Sequence, residues 1–187
     1  MLAAAAMISF TACEKDGDED GNDERLVNEM KIGDKSYPLA GGCCYYWMYD
    51  EEEQITRYEI YLSNHANEPG FVDGPQSRVN ICYLYAKNTN QEIMPSGPYP
   101  YKTIVDDIPA VGRYHNGMSA YVLYDDNSNS GYWIKFGQKG SGASELEINV
   151  KHISGNIYEI TFTNGYNGYG STVRGHYKGE INMINDN

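Results

Sequence analysis

The sequence predicts an all-β fold, an antiparallel β-sandwich or flattened β-barrel of about eight strands with little helix, on three grounds. From about residue 28 onward apolar residues recur at every second position, the period of a strand and not of a helix. The 187 residues include 18 Tyr and 20 Gly, a surplus suited to strands and to the turns between them. The runs are joined by short stretches of Gly, Asn, Asp and Pro, too short for the crossovers that link consecutive parallel strands.

The body opens with "MKIGDKSYPL", a small hairpin turning at Gly33-Asp34. "CCYYWMY" follows as a strand, and the acidic run Asp50-Glu51-Glu52-Glu53 reads as a solvated hairpin tip leading into "QITRYEIYLS". There Tyr58, Ile60 and Leu62 share one face, and Arg57, Glu59 and Tyr61 the other. "RVNICYLYAK" sets Val79, Ile81, Tyr83 and Tyr85 together on the same alternation. The long connection from Asn88 to Arg113, holding "MPSGPYPYK", is expected to cross from one sheet or edge to another.

"MSAYVLY" and "GYWIKFG" are further strands. "ELEINVK" places Leu146, Ile148 and Val150 on one face, "NIYEITFT" does the same with Tyr158, Ile160 and Phe162, and the short "SGN" between them predicts an antiparallel hairpin. In the last strand, "STVRGHYKGEIN", Val173, Gly175, Tyr177, Gly179 and Ile181 share a face, and glycines there indicate a tight bend or the close approach of another backbone.

Composition limits the function. A length of 187 residues suits one folded body, and a net charge of -12, from 26 acidic and 14 basic residues, repels a phosphate backbone. Nucleic acid is therefore excluded as an expected partner. The histidines His65, His115, His152 and His176 lie far apart and belong to no zinc-protease or nucleophile-elbow motif. No C-x-x-C or comparable zinc spacing occurs, so neither a metal nor a cofactor is expected. No catalytic residue is assigned, and an enzyme would need residues assembled in space without a sequence motif.

Adjacent strand residues face opposite ways, so only one of Cys43 and Cys44 can meet Cys82. A disulfide of Cys82 with Cys43 or with Cys44 is possible, the spacing selecting neither, and Cys43–Cys82 is taken as the candidate, with buried thiols as the alternative. The aromatic surplus is the one lead toward a ligand. Tyr99 and Tyr101 fall in the Pro-rich connection and Tyr166 and Tyr169 in "TNGYNGYGST", whose Gly165, Gly168 and Gly170 let both rings project from a hairpin end. Tyr166 and Tyr169, with Trp133 as a neighbour if its strand lies beside that loop, form the candidate ligand surface.

The chain divides into a signal segment (1–12), a tether (13–27) and the β-sandwich body (28–187). Residues 2 to 12, "LAAAAMISFTA", are uncharged, as long as the apolar core of a signal peptide and too short to span a bilayer. The basic residues that open such signals are missing here, and an upstream segment would supply them. "DGDEDG" puts Asp16, Asp18, Asp20 and Gly21 at positions of a calcium loop, but Val27 stands where the bidentate Glu belongs and no helix frames the ion. Between Glu14 and Glu24 seven acids face one Lys, so this stretch is expected to remain a solvated, self-repelling tether.

Phe10-Thr11-Ala12-Cys13 resembles the bacterial lipobox, with Phe10 where Leu is usual, and the acidic tract behind it resembles the signal that Bacteroidetes use to export lipoproteins to the cell surface. The resemblance implies that Cys13 becomes a lipidated N-terminus at the outer membrane, facing the exterior. Gly155, Tyr158, Ile160 and Phe162, followed by Gly175, Tyr177, Gly179 and Ile181, look like the C-terminal pattern of small Bacteroidetes surface lipoproteins of unknown function. The reading that follows is a lipid-anchored, non-catalytic binding module for glycans or a partner envelope protein. A structural or adhesive envelope component is the second reading, and a hydrolase the third.

Overall fold

The computed structural model describes residues 27–64, 77–88, 90–101, 112–115, 118–123, 131–136, 146–166 and 172–186. They form twelve strands and, among the described residues, no helix: β1 (Glu29–Ile32), β2 (Lys35–Pro38), β3 (Gly41–Asp50), β4 (Ile55–Ser63), β5 (Ser77–Lys87), β6 (Gly97–Tyr99), β7 (Arg113–His115), β8 (Met118–Leu123), β9 (Gly131–Phe136), β10 (Glu147–Ser154), β11 (Ile157–Tyr166) and β12 (Thr172–Asn185).

The strands join in one sheet in the order β6-β10-β11-β12-β3-β4-β5-β8-β9. Its two arms curl toward each other. β7 pairs with Leu84, Tyr85 and Ala86 of β5, and Tyr101, just past β6, bridges to His115 of β7, so the sheet is a nearly closed barrel. β8 and β9 extend from the other half of β5, where Asn80 faces Ser119 and Ser77 faces Val122.

Closure depends on β12, which serves three neighbours. One edge pairs with β11 as far as Glu180. The other edge holds β1 along Val173 to His176 and β3 along Ile181 to Asn185. The β12–β3 pairing is parallel, so the otherwise antiparallel barrel is mixed at this point. Short connections exclude parallel pairing only between consecutive strands, and these two are remote in the chain. Nine strands lie on the main path instead of about eight.

The expected hairpins form at the expected turns. β1 and β2 pair through Gly33-Asp34, with Gly33 at a left-handed φ of 56° that a residue with a Cβ resists. Ile148, Val150, Tyr158, Ile160 and Phe162 are all buried where β10 and β11 pair. At Gly175 the close approach is that of a side chain and not of a backbone: a Cβ there would collide with the ring of Phe162, its partner on β11.

β5 departs from simple alternation. Tyr58 faces Leu84 while Ile60 faces Ile81, so β5 carries one extra residue, a β-bulge that reverses the facing of all that follows. Val79 and Ile81 stand opposite Leu62 and Ile60 in the register, and beyond the bulge the core takes Leu84 and Ala86.

The stretch 90–99 packs against the barrel core, and the core tyrosines hold it. Tyr58 donates to Ile93 O at 3.3 Å, Tyr99 donates to Pro95 O at 2.9 Å, and the Met94 N–H donates to the Tyr158 hydroxyl at 3.2 Å. Met94 is fully buried beneath. Burial raises the Tyr58 and Tyr99 hydroxyl pKa values, which keeps both as neutral donors. Tyr99 thus belongs to the core, contrary to its expected place on an exposed loop, because the Pro-rich stretch joins the sheet as β6 opposite Ile148.

Candidate functional site

Strand β3 is aromatic on both faces. Alternation sends Cys44 and Tyr46 into the core and leaves Tyr45, Trp47 and Tyr49 on the outside. On β4 the same rule turns Tyr58, Ile60 and Leu62 inward and Arg57, Glu59 and Tyr61 outward. Register then places Glu59 beside Tyr45, and Trp47 beside Arg57, which faces Tyr85 of β5 in turn.

These outward side chains form one connected surface. Tyr45 and Tyr61 meet edge to face with centroids 5.9 Å apart. The Arg57 guanidinium lies 4.2 Å from the centre of the Trp47 ring, a cation–π contact. A second bulge, between Met48 and Asp50, accompanies the contact of Tyr49 with Tyr85 across β4, at 5.1 Å and an interplanar angle of 78°. Tyr61 donates to Glu59 Oε1 at 2.6 Å. Tyr85 is buried, Tyr45, Trp47, Arg57, Glu59 and Tyr61 are half-buried, and Tyr49 is 42% exposed. The rings are therefore fixed by one another before any ligand arrives.

The sequence reading passes over this surface. Its signal was present in "CCYYWMY", where aromatics occupy both alternating sets although a core needs only one. Among the residues singled out instead, Tyr166 ends β11 opposite Thr172, and Trp133 stands on β9 opposite Tyr121. Strand β9 pairs with β8, and β11 pairs with β10 and β12, so Trp133 and Tyr166 are not on neighbouring strands. Tyr169, Cys13 and the acidic tract Glu14–Glu24 lie outside the described residues.

Cys43 and Cys44 are both buried, and burial pushes the Cys44 thiol pKa up, which makes it a poor nucleophile. Strand β4 separates Cys43 on β3 from Cys82 on β5. Two strand spacings come to about 9.5 Å, beyond the roughly 7 Å between Cα atoms that a disulfide spans. The topology therefore speaks against the Cys43–Cys82 pairing.

The described histidines are dispersed. His115 is fully buried and donates through Nε2 to Leu146 O at 3.1 Å, and burial lowers its pKa to about 4, so it is neutral. His152 contacts the Tyr158 ring and the Gly155 carbonyl. On the opposite arm of the sheet, His176 Nε2 lies 3.1 Å from Glu159 Oε1, and Lys151 lies 3.7 Å from Oε2. The His176 hydrogen bond, aided by Lys178 and Lys151, holds the Glu159 carboxyl below its usual range despite some burial. Among the described residues no group of three or more His, Cys, Asp or Glu side chains is placed to hold a metal.

No protein-family model, curated protein or solved structure matches the chain.

Proposed function

We propose that this protein is a non-catalytic binding module, anchored through lipid on Cys13 at the outer membrane and facing the cell exterior. Its contact surface is the outer face of β3, β4 and β5. The observation that carries the reading is the ring set Tyr45, Trp47 and Tyr49, locked by Tyr61, Arg57 and Tyr85 on a face the core does not use. Tyr, Trp and Arg are the residue types that dominate binding energy when a surface is pre-organised. Tyr166, Tyr169 and Trp133 remain the second candidate contact.

Two measurements on the full chain test this. Labelled fatty acid should enter the wild type and not Cys13→Ala, and protease added to intact cells should cleave the protein. Binding to a glycan array or to purified envelope proteins should fall in Trp47→Ala while its thermal melt stays cooperative. Lipid in the Cys13→Ala protein, or protection from protease in intact cells, contradicts the anchoring. A cooperatively folded Trp47→Ala that keeps full binding, while Tyr166→Ala/Tyr169→Ala loses it, moves the contact to the loop.

A further inference from the structure

We infer that the barrel opens and recloses along the seam between β6 and β7 while both of its arms stay folded. The first ground is the edge that the β6 side turns toward β7. Successive strand residues point their N–H and C=O groups to opposite sides, and here Pro98 and Pro100 face β7: Pro98 O accepts from Arg113 Nε at 3.3 Å, and Pro100 O from the His115 N–H at 3.0 Å. Proline has no N–H, so this edge can accept and cannot donate. In the parallel register set by Tyr101 opposite His115, residue 100 would donate to the Arg113 carbonyl, and Pro100 has no proton to give. The ladder therefore does not extend from that bridge toward Arg113. Proline on the outer side of a strand is a common protection of an edge that meets water. A barrel closed at all times has no such edge to protect.

The second ground is what spans the seam where the ladder fails. The His115 ring lies 5.5 Å from the Tyr101 ring, and its Nε2 bonds Leu146 O at 3.1 Å at the entry to β10. Arg113 lies across Gly97, where a Cβ would collide with the guanidinium. Each side of the seam is tied more firmly to its own arm. β6 pairs with Ile148, Asn149 and Val150 of β10, and Tyr99 is buried with its hydroxyl held by Pro95 O. β7 pairs with Leu84, Tyr85 and Ala86 of β5, and just before it Gly112 O accepts from the Lys87 N–H at 2.8 Å. Opening the seam breaks the contacts that His115 and Arg113 make across it and leaves both sets of pairs intact, so it costs a fraction of what unfolding the sheet costs. The open state bares Tyr99, His115 and Leu146, all buried in the closed one, and gives solvent a route to the core.

The test is native-state amide hydrogen exchange of the full chain, followed by NMR as urea rises below the unfolding transition. The His115 N–H, bonded across the seam, should exchange at least about a hundredfold faster than that of Ile160, which β10 and β12 flank. Its rate should hold within about twofold as urea rises, because local opening exposes little surface. Tyr85, paired with Tyr114 of β7, should exchange with Ile160 and not with His115, since β7 stays on β5. Pro100→Val supplies the missing donor and should slow His115 exchange about threefold to tenfold while leaving Ile160 unchanged. The wild-type rates decide alone if that variant does not fold. Equal protection and equal urea dependence at His115 and Ile160 would mean that the seam opens only with the whole sheet. His115 and Tyr85 exchanging together would mean that β7 frays as a strand, and an unchanged His115 rate in a folded Pro100→Val would mean that the proline does not weaken the joint. Each of these three results overturns the inference.

Discussion

His115 gives the fold an acid limit. Its imidazole is fully buried, with a pKa lowered from an ordinary 6.5 to about 4. Between those values the unfolded chain binds a proton that the folded chain does not, so stability is full above about pH 6.5 and falls as the pH drops toward 4. The loss should be on the order of 3 kcal/mol across the window. Thermal melts between pH 7 and pH 4 should show a falling Tm in the wild type and a flatter profile in His115→Gln, whose starting Tm is lower. Parallel profiles would mean that His115 does not set the limit. Glu159 acts lower, since a depressed carboxylate contributes stability that is lost only as pH falls through its folded value. Asn88 is a second single-residue control point: its amide donates to the Tyr58 hydroxyl at 2.9 Å and to Ile93 O at 2.7 Å, tying the stretch 90–99 to the core. Asn88→Ala should cost about 1–3 kcal/mol by denaturant titration.

Among the elements, β4, β10 and β11 were legible because their core-facing runs precede any bulge, so Tyr58, Ile60, Leu62, Ile148, Val150 and Phe162 could be assigned to the core from period alone. Strand β5 was half legible. Its bulge adds a residue that no local chemistry marks, and every assignment beyond it reverses. The candidate surface on β3 is hidden for a related reason: an aromatic strand reads as core on either face, whereas the flanking glycines mark Tyr166 and Tyr169. The glycine pattern of β12 signals crowding, but what crowds Gly175 is the Phe162 ring and not a backbone. Gly175→Ala must displace the Phe162 ring and should cost about 1–3 kcal/mol, the usual range for overpacking. Gly33→Ala has open space around it and should lose about 1 kcal/mol through its left-handed backbone alone. Equal, negligible losses in chemical denaturation would contradict both accounts.

The architecture of the whole molecule rests on a contact that local patterns cannot reveal, the parallel pairing of β12 with β3. It joins the two ends of the body, so a chain truncated after Asn182, which loses most of that pairing, should unfold without a sharp transition; a cooperative melt close to that of the full chain would show that closure is dispensable. The same closure fixes β3, and so fixes the outward row of rings on which the proposed function depends. Hydroxyl-radical footprinting tests that dependence most directly, by comparing oxidation of the protein on intact cells of its native host with that of the purified protein. The account predicts that Trp47 and Tyr49 are shielded on the cells, while the exposed Ile153 on the far arm reacts equally in both. Equal oxidation of Trp47 and Tyr49 in both states, with shielding at Trp133, Tyr166 or Tyr169 instead, would contradict it.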